Sequence, residues 1–159
     1  MFGGYNGKNC FNDIDVLDIE TYSWSRPKIE GSTPTARNAH CMVTVGTLLY
    51  LFGGHTGTKH LKDTWIFDTE ALAWKELPPT AIAPKGLRGH TANLVENNIY
   101  IFGGYDGGGR SNELYIFELA GCQWTQPKLN YSEAIGSLPS GRQRHSASTI
   151  SRIISFDFF

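Results

Sequence analysis

Apolar residues fall in short runs separated by polar and glycine-containing breaks, and the runs return in a fixed order. After His40 comes "CMVTV", then "LLYLFGG", then, beyond a polar and glycine-rich break, "DTWIFDTE", and last "LAWKEL". After His90 the order is repeated as "TANLV", "NIYIFGG", "NELYIFEL" and "CQWTQP". Runs rich in β-branched and aromatic residues, bounded by Gly, Asn and Pro, predict strands rather than helices. Each group of four predicts one four-stranded antiparallel sheet.

Laid on itself at a period of fifty residues, the chain matches without gaps over most of its length. Phe2-Gly3-Gly4, Phe52-Gly53-Gly54 and Phe102-Gly103-Gly104 coincide, as do Trp24, Trp74 and Trp124. Gly7, Gly57 and Gly107 align, Asp13 and Asp63 fall on Glu113, Asp18 and Asp68 on Glu118, Pro34 on Pro84, and Tyr50 on Tyr100. His40 falls on His90, and His145 takes the same place after a spacing from the tryptophan of 21 residues in place of 16. Self-similarity at this period marks a repeat architecture. The insertion puts a protruding loop at "NYSEAIGSL", and Asp15 replaces the aromatic found at Trp65 and Tyr115.

The paired glycine after the second strand and the tryptophan on the fourth resemble the marks of the kelch repeat, over nearly the whole chain. A Gly89-His90 pair is superficially like a WD-type repeat, but no Trp-Asp dipeptide follows it. The resemblance implies an all-β fold, a kelch β-propeller segment in which four-stranded blades pack face to face around a channel. The units divide as a partial blade over 1–38, blades over 39–88 and 89–143, and a partial, degenerate blade over 144–159, so that the ring is incomplete. Met1 stands inside strand two, and Asp157-Phe158-Phe159 occupy the place of a further Phe-Gly-Gly. The expectation is a piece of a longer kelch protein, whose remaining blades would be partners of this one. Trp24, Trp74 and Trp124 are expected to bury themselves against neighbouring blades, the glycine pairs Gly3-Gly4, Gly53-Gly54 and Gly103-Gly104 to turn the backbone where a Cβ would clash, and His40, His90 and His145 to hydrogen-bond locally within their blades.

At 159 residues, 40% apolar and 18% charged with a net charge of −1, the chain is neither disordered nor a globally basic nucleic-acid binder. Its three cysteines form no C-x-x-C pair, which favours a reducing compartment. No apolar run is long enough to span a membrane and no signal-peptide pattern is present, so cytosol or nucleus is expected. His55 and His60 share a glycine-rich loop without further ligands at zinc spacing, and "YNGKNC" and "YDGGGR" lack the P-loop Lys-Ser or Lys-Thr pair. No catalytic residue, metal or cofactor is expected. The alternative that the resemblance carries is a fragment of a propeller enzyme, as in galactose oxidase, or of a metal-dependent specifier protein, with active-site residues in other blades.

Strand parity allots the charges. Loops from strand two to three and the interblade segments leave an antiparallel blade on one side. Residues 5–12, 55–62, 105–112, 25–39, 75–89 and 125–144 hold thirteen of the fourteen basic residues but only four acids, Glu30, Glu76, Asp106 and Glu133. Kelch substrate adaptors of cullin ubiquitin ligases use this face, with arginines gripping acidic peptides. Arg37 and Arg142, each three residues before a repeat histidine, match that position; Leu87 departs from it, with Arg88 one place later. The expected function is a non-catalytic protein-interaction module. It would bind a partner, with an acidic segment as the favoured form, through Arg37, Lys59, Lys85, Arg88, Arg110, Arg142 and Arg144.

Overall fold

The computed structural model describes residues 1–130 and 137–157. Among them there is no helix; fourteen strands build five antiparallel sheets. Strands β5 (Cys41–Val45), β6 (Leu48–His55), β7 (His60–Asp68) and β8 (Ala73–Glu76) form one four-stranded blade in chain order. β9 (Thr91–Val95), β10 (Asn98–Phe102), β11 (Leu114–Glu118) and β12 (Gln123–Thr125) form the next. Before them, β1 (Phe2–Tyr5) pairs with β2 (Cys10–Ile14), and β3 (Val16–Asp18) with β4 (Ser23–Ser25). After them, β13 (Ser146–Ile150) pairs with β14 (Ile153–Asp157). Strand two of this last unit therefore forms even though the Phe-Gly-Gly motif has lapsed.

Two apolar clusters lie between blades rather than inside them. Phe2 and Ile14 of the first unit meet Leu51, Trp65, Phe67 and Trp74 of the second. Val43, Tyr50 and Phe52 of the second meet Ile99, Ile101, Tyr115, Phe117 and Trp124 of the third. The tryptophan of each complete blade reaches back to the preceding Phe-Gly-Gly phenylalanine, with ring centroids 5.0 Å apart for Phe2 and Trp74 and 5.4 Å for Phe52 and Trp124. Trp24 does not follow: the position fifty residues before Phe2 lies outside this sequence, and Trp24 is 60% exposed.

The double glycine produces a bulge, with register shifting between Phe2 and Gly4 and again between Phe52 and Gly54. Gly53 has a φ of +53°, and a Cβ there would lie 2.8 Å from the Leu87 carbonyl oxygen and 3.3 Å from His90 Cε1. The missing side chain admits the segment that opens the next blade. Gly4, Gly54 and Gly104 donate backbone hydrogen bonds to the carbonyls of Arg37, Leu87 and Arg142, at 2.9, 2.8 and 2.8 Å. The same segments donate in turn from Arg37, Leu87 and Arg142 N–H to Phe11, Leu61 and Ser111. Each interblade segment is thus stitched into the mouth of the preceding blade.

The repeat histidines lie at these joints. The His40, His90 and His145 rings point at Gly3, Gly53 and Gly103 of the preceding unit, and His40 and His145 pack edge-on against Phe2 and Phe102. Hydrogen bonding within the blade is not their role: the Nδ1 atoms of His40, His90 and His145 are buried without a hydrogen-bond partner, and His145 Nε2 lies 3.1 Å from Thr91 Oγ1 in the blade before it. Burial, with the Arg37 charge adding to it, pushes His40 down to about 4. Burial and the neighbouring His40 and His145 push His90 down to about 4 as well.

Candidate protein-binding surface

The loops from strand two to three are built alike, which is why their side chains come to one rim. Asn6 Oδ1 accepts from Lys8 N–H and Asn9 N–H, Thr56 Oγ1 from Lys59 N–H at 3.1 Å, and Asp106 Oδ1 from the Gly108 and Gly109 N–H groups. Such short polar side chains close a turn on their own backbone, and Gly7, Gly57 and Gly107 supply the positive φ that follows.

Beside each loop runs the end of an interblade segment. Leu87 N–H donates to Leu61 O at 3.1 Å, and Arg88 and Tyr105 exchange backbone hydrogen bonds at 3.1 and 2.9 Å. Gly86 packs against the His60 carbonyl and Gly141 against that of Arg110. This brings the ends of segments 85–89 and 140–144 onto the same rim as Lys59 and Arg110. Lys59, Lys62, Lys85, Arg110 and Arg144 are exposed, and Arg88 and Arg142 are half-buried.

Arg37 is not on this surface. It is fully buried, with Nη1 and Nη2 each 2.7 Å from an Asp63 carboxylate oxygen, Nη1 also donating to Gly53 O at 2.8 Å and Nε to Thr35 O at 2.9 Å. It is a strut from the interblade segment into the following blade. Asp63 also accepts from Trp65 Nε1 at 2.7 Å, and its counterpart Glu113 from the Tyr115 hydroxyl at 2.6 Å. The repeated acid therefore orients the aromatic two residues later. In the first unit, where Asp15 replaces that aromatic, Arg26 bridges Asp13 and Asp15 at 3.1 and 2.8 Å. At Arg142 the Nε donates to Ser140 O at 2.8 Å, as Arg37 does to Thr35 O. Glu133 and most of the inserted loop lie outside the described residues.

Other basic residues are engaged as well. Lys28 pairs with Glu30, and Arg152, on the opposite side, with Glu96. Among the described residues, Lys59, Lys62, Lys85, Arg88 and Arg110 join no ion pair and come from the segments that meet at the joint of the two complete blades, with Asp106 on the adjoining loop. Arg88 Cζ sits 5.0 Å from the centroid of the Tyr105 ring. His55 and His60 are 4.7 Å apart by ring centroid, and Tyr105 is 5.6 Å from His60. Tyr105, His55 and His60 carry no signal in the repeat pattern that would assign them to this surface; the packed joint places them there. Among the described residues no group of three or more His, Cys, Asp or Glu is placed to hold a metal ion.

The chain matches the KLHDC2/KLHL20/DRC7 Kelch-repeats domain over residues 1–156. It belongs to the kelch-repeat family. Over 46 residues it is 48% identical to acyl-CoA-binding domain-containing protein 4 of Arabidopsis thaliana, covering 29% of this chain and 7% of that protein. Over 51 residues it is 37% identical to human host cell factor 2, with 32% and 6% covered. It is 39% identical over 51 residues to the mouse Rab9 effector protein with kelch motifs, with 31% and 13% covered. The matched kelch stretch is thus a small part of each of these relatives. Kelch-repeat domains are typically protein-interaction modules.

Proposed function

We propose that this chain binds a partner protein through the rim formed by the strand two-to-three loops and the interblade segments, and that the partner presents an acidic segment there. The observation that carries this is the cluster of Lys59, Lys62, Lys85, Arg88 and Arg110, none of which joins an ion pair within 4.0 Å among the described residues. Arg142 and Arg144 extend the rim. Guanidinium groups suit carboxylates because two parallel N–H donors match the two oxygens, and complementary charge speeds encounter within the 8 to 10 Å or so that physiological salt leaves unscreened.

A two-sided charge reversal tests the reading. With the full chain and a glutamate-rich peptide as probe, Lys85→Glu with Arg88→Glu should abolish binding. Asp18→Lys with Glu20→Lys and Glu70→Lys, on the opposite face, should leave it nearly intact. Equal loss from both sets, or binding that ignores added salt, would show that the polarity between faces has no part in recognition.

A further inference from the structure

The joint between the two complete blades carries a group of side chains that the repeat does not require. At the preceding joint the corresponding backbone bridge pairs Asn38 with His55; here it pairs Arg88 with Tyr105. The Arg88 guanidinium lies over the Tyr105 ring at 5.0 Å and has no carboxylate partner among the described residues, in contrast with Arg37 and its Asp63. Its Nε is buried without a hydrogen bond, and so is His60 Nε2. A guanidinium held over an aromatic face is ordered before any ligand arrives, and its amino groups are the part suited to a two-oxygen acceptor.

We propose that Arg88 and His60, braced by Tyr105, form the seat for one carboxylate of the acidic segment, and that filling it loads a proton onto His60. This rests on the loop-rim reading above and adds the anchor and its coupling to pH. On the loop and strand of His60 itself, Lys59 and Lys62 are exposed, and the Asp63 carboxylate is engaged by Arg37 and Trp65. From β6, His55 accepts the Gly57 N–H through Nδ1 at 3.0 Å, which holds it in the neutral form. From the interblade segment come Arg88 and the exposed Lys85, and from the next blade's loop Asp106 and the exposed Arg110. The Asp106 carboxylate is engaged with the Gly108 and Gly109 N–H groups at 2.8 and 3.0 Å.

Before the ligand arrives, burial first and the Arg88 charge second hold His60 below its ordinary value, with Asp106 opposing them. An incoming carboxylate cancels the Arg88 repulsion and favours the imidazolium, so the complex binds one more proton than the free protein. Affinity must then rise as pH falls toward the free His60 value, by at most about tenfold per pH unit for one proton.

The measurement is titration of the full chain with a tetraglutamate peptide at fixed ionic strength from pH 7.5 to 6.0, alongside NMR observation of the histidine ring protons. We expect affinity to rise about three- to tenfold across this range, and the His60 midpoint to move up on peptide addition while that of His55 does not. His60→Gln should weaken binding at pH 7.5 and lose the rise as pH falls; Arg88→Ala should weaken binding throughout. Binding that depends on Arg88 but is flat with pH would overturn the proton uptake and leave the loop-rim reading standing. A rise that persists in His60→Gln would place the proton elsewhere and overturn the seat. Binding that neither Arg88→Ala nor the double reversal alters, or no binding at all, would overturn both.

Discussion

A tryptophan in this chain is worth what its predecessor covers. Trp74 and Trp124 are 8% and 6% exposed because Phe2 and Phe52 lie over them, whereas Trp24, in the same place in its unit, is 60% exposed. Trp74→Ala should therefore cost roughly 3 to 5 kcal/mol in chemical denaturation, and Trp24→Ala less than about 1 kcal/mol. Equal costs would mean that the aromatic contact between blades is not where the energy lies. Arg37 shows the reverse limit of reading a residue from its type. A cation in a loop segment is normally solvated, yet here the Asp63 carboxylate and the Gly53 carbonyl together satisfy it inside the protein. The sequence held a clue in Asp63, aligned with Asp13 and Glu113, but the spacing does not tell whether an acid meets an aromatic, an arginine or both.

At the scale of the element, the blade is legible and its seam is not. Alternating apolar runs and breaks place β5 to β8 and β9 to β12 in order, because strand formation depends on local composition and on a buried face. The seam depends on what arrives from the next unit. Gly53 looks like a turn glycine in sequence; in the structure it makes room for the Leu87 carbonyl and the His90 ring while holding a left-handed φ. Gly53→Ala faces both the backbone strain and a contact at 2.8 Å with a backbone atom, and should destabilise the chain by about 2 kcal/mol or more, against about 1 to 2 for the strain alone. Denaturant melts of this variant that coincide with wild type would show that the seam yields without cost.

For the whole molecule, the repeat histidines tie stability to pH. His40 and His90 are held neutral by burial, each down at about 4 against 6.5 for the free side chain. Between those values the unfolded chain binds more protons than the folded one, so stability is complete above pH 6.5 and falls as pH drops toward 4. Each histidine contributes a slope of up to about 1.4 kcal/mol per pH unit. Thermal melts from pH 7.5 to 4.5 should show a falling Tm that His90→Gln flattens in part; a Tm constant down to pH 4.5 would mean that the imidazoles gain water or a partner on protonation. The window lies mostly below the pH range proposed for His60, so the two effects are separable in one titration series.

The all-β class, the fifty-residue unit and the strand order were readable from composition and period, which are local properties multiplied by repetition, and the resemblance to the kelch repeat added the inter-unit place of Trp74 and Trp124. The partition of the charges was not so readable. Parity assigned Arg37, Arg88 and Arg142 to one face alike, but only the packed joints decide that Arg37 is buried on Asp63 while Arg88 rests on Tyr105. Nor does spacing reveal that His60 stands between His55 and Tyr105, since those neighbours come from another strand and another blade. Side-chain pairing across a seam is settled by which group reaches a given oxygen or ring face first in three dimensions. A one-dimensional pattern records which groups are available for that contact, and only the fold selects among them.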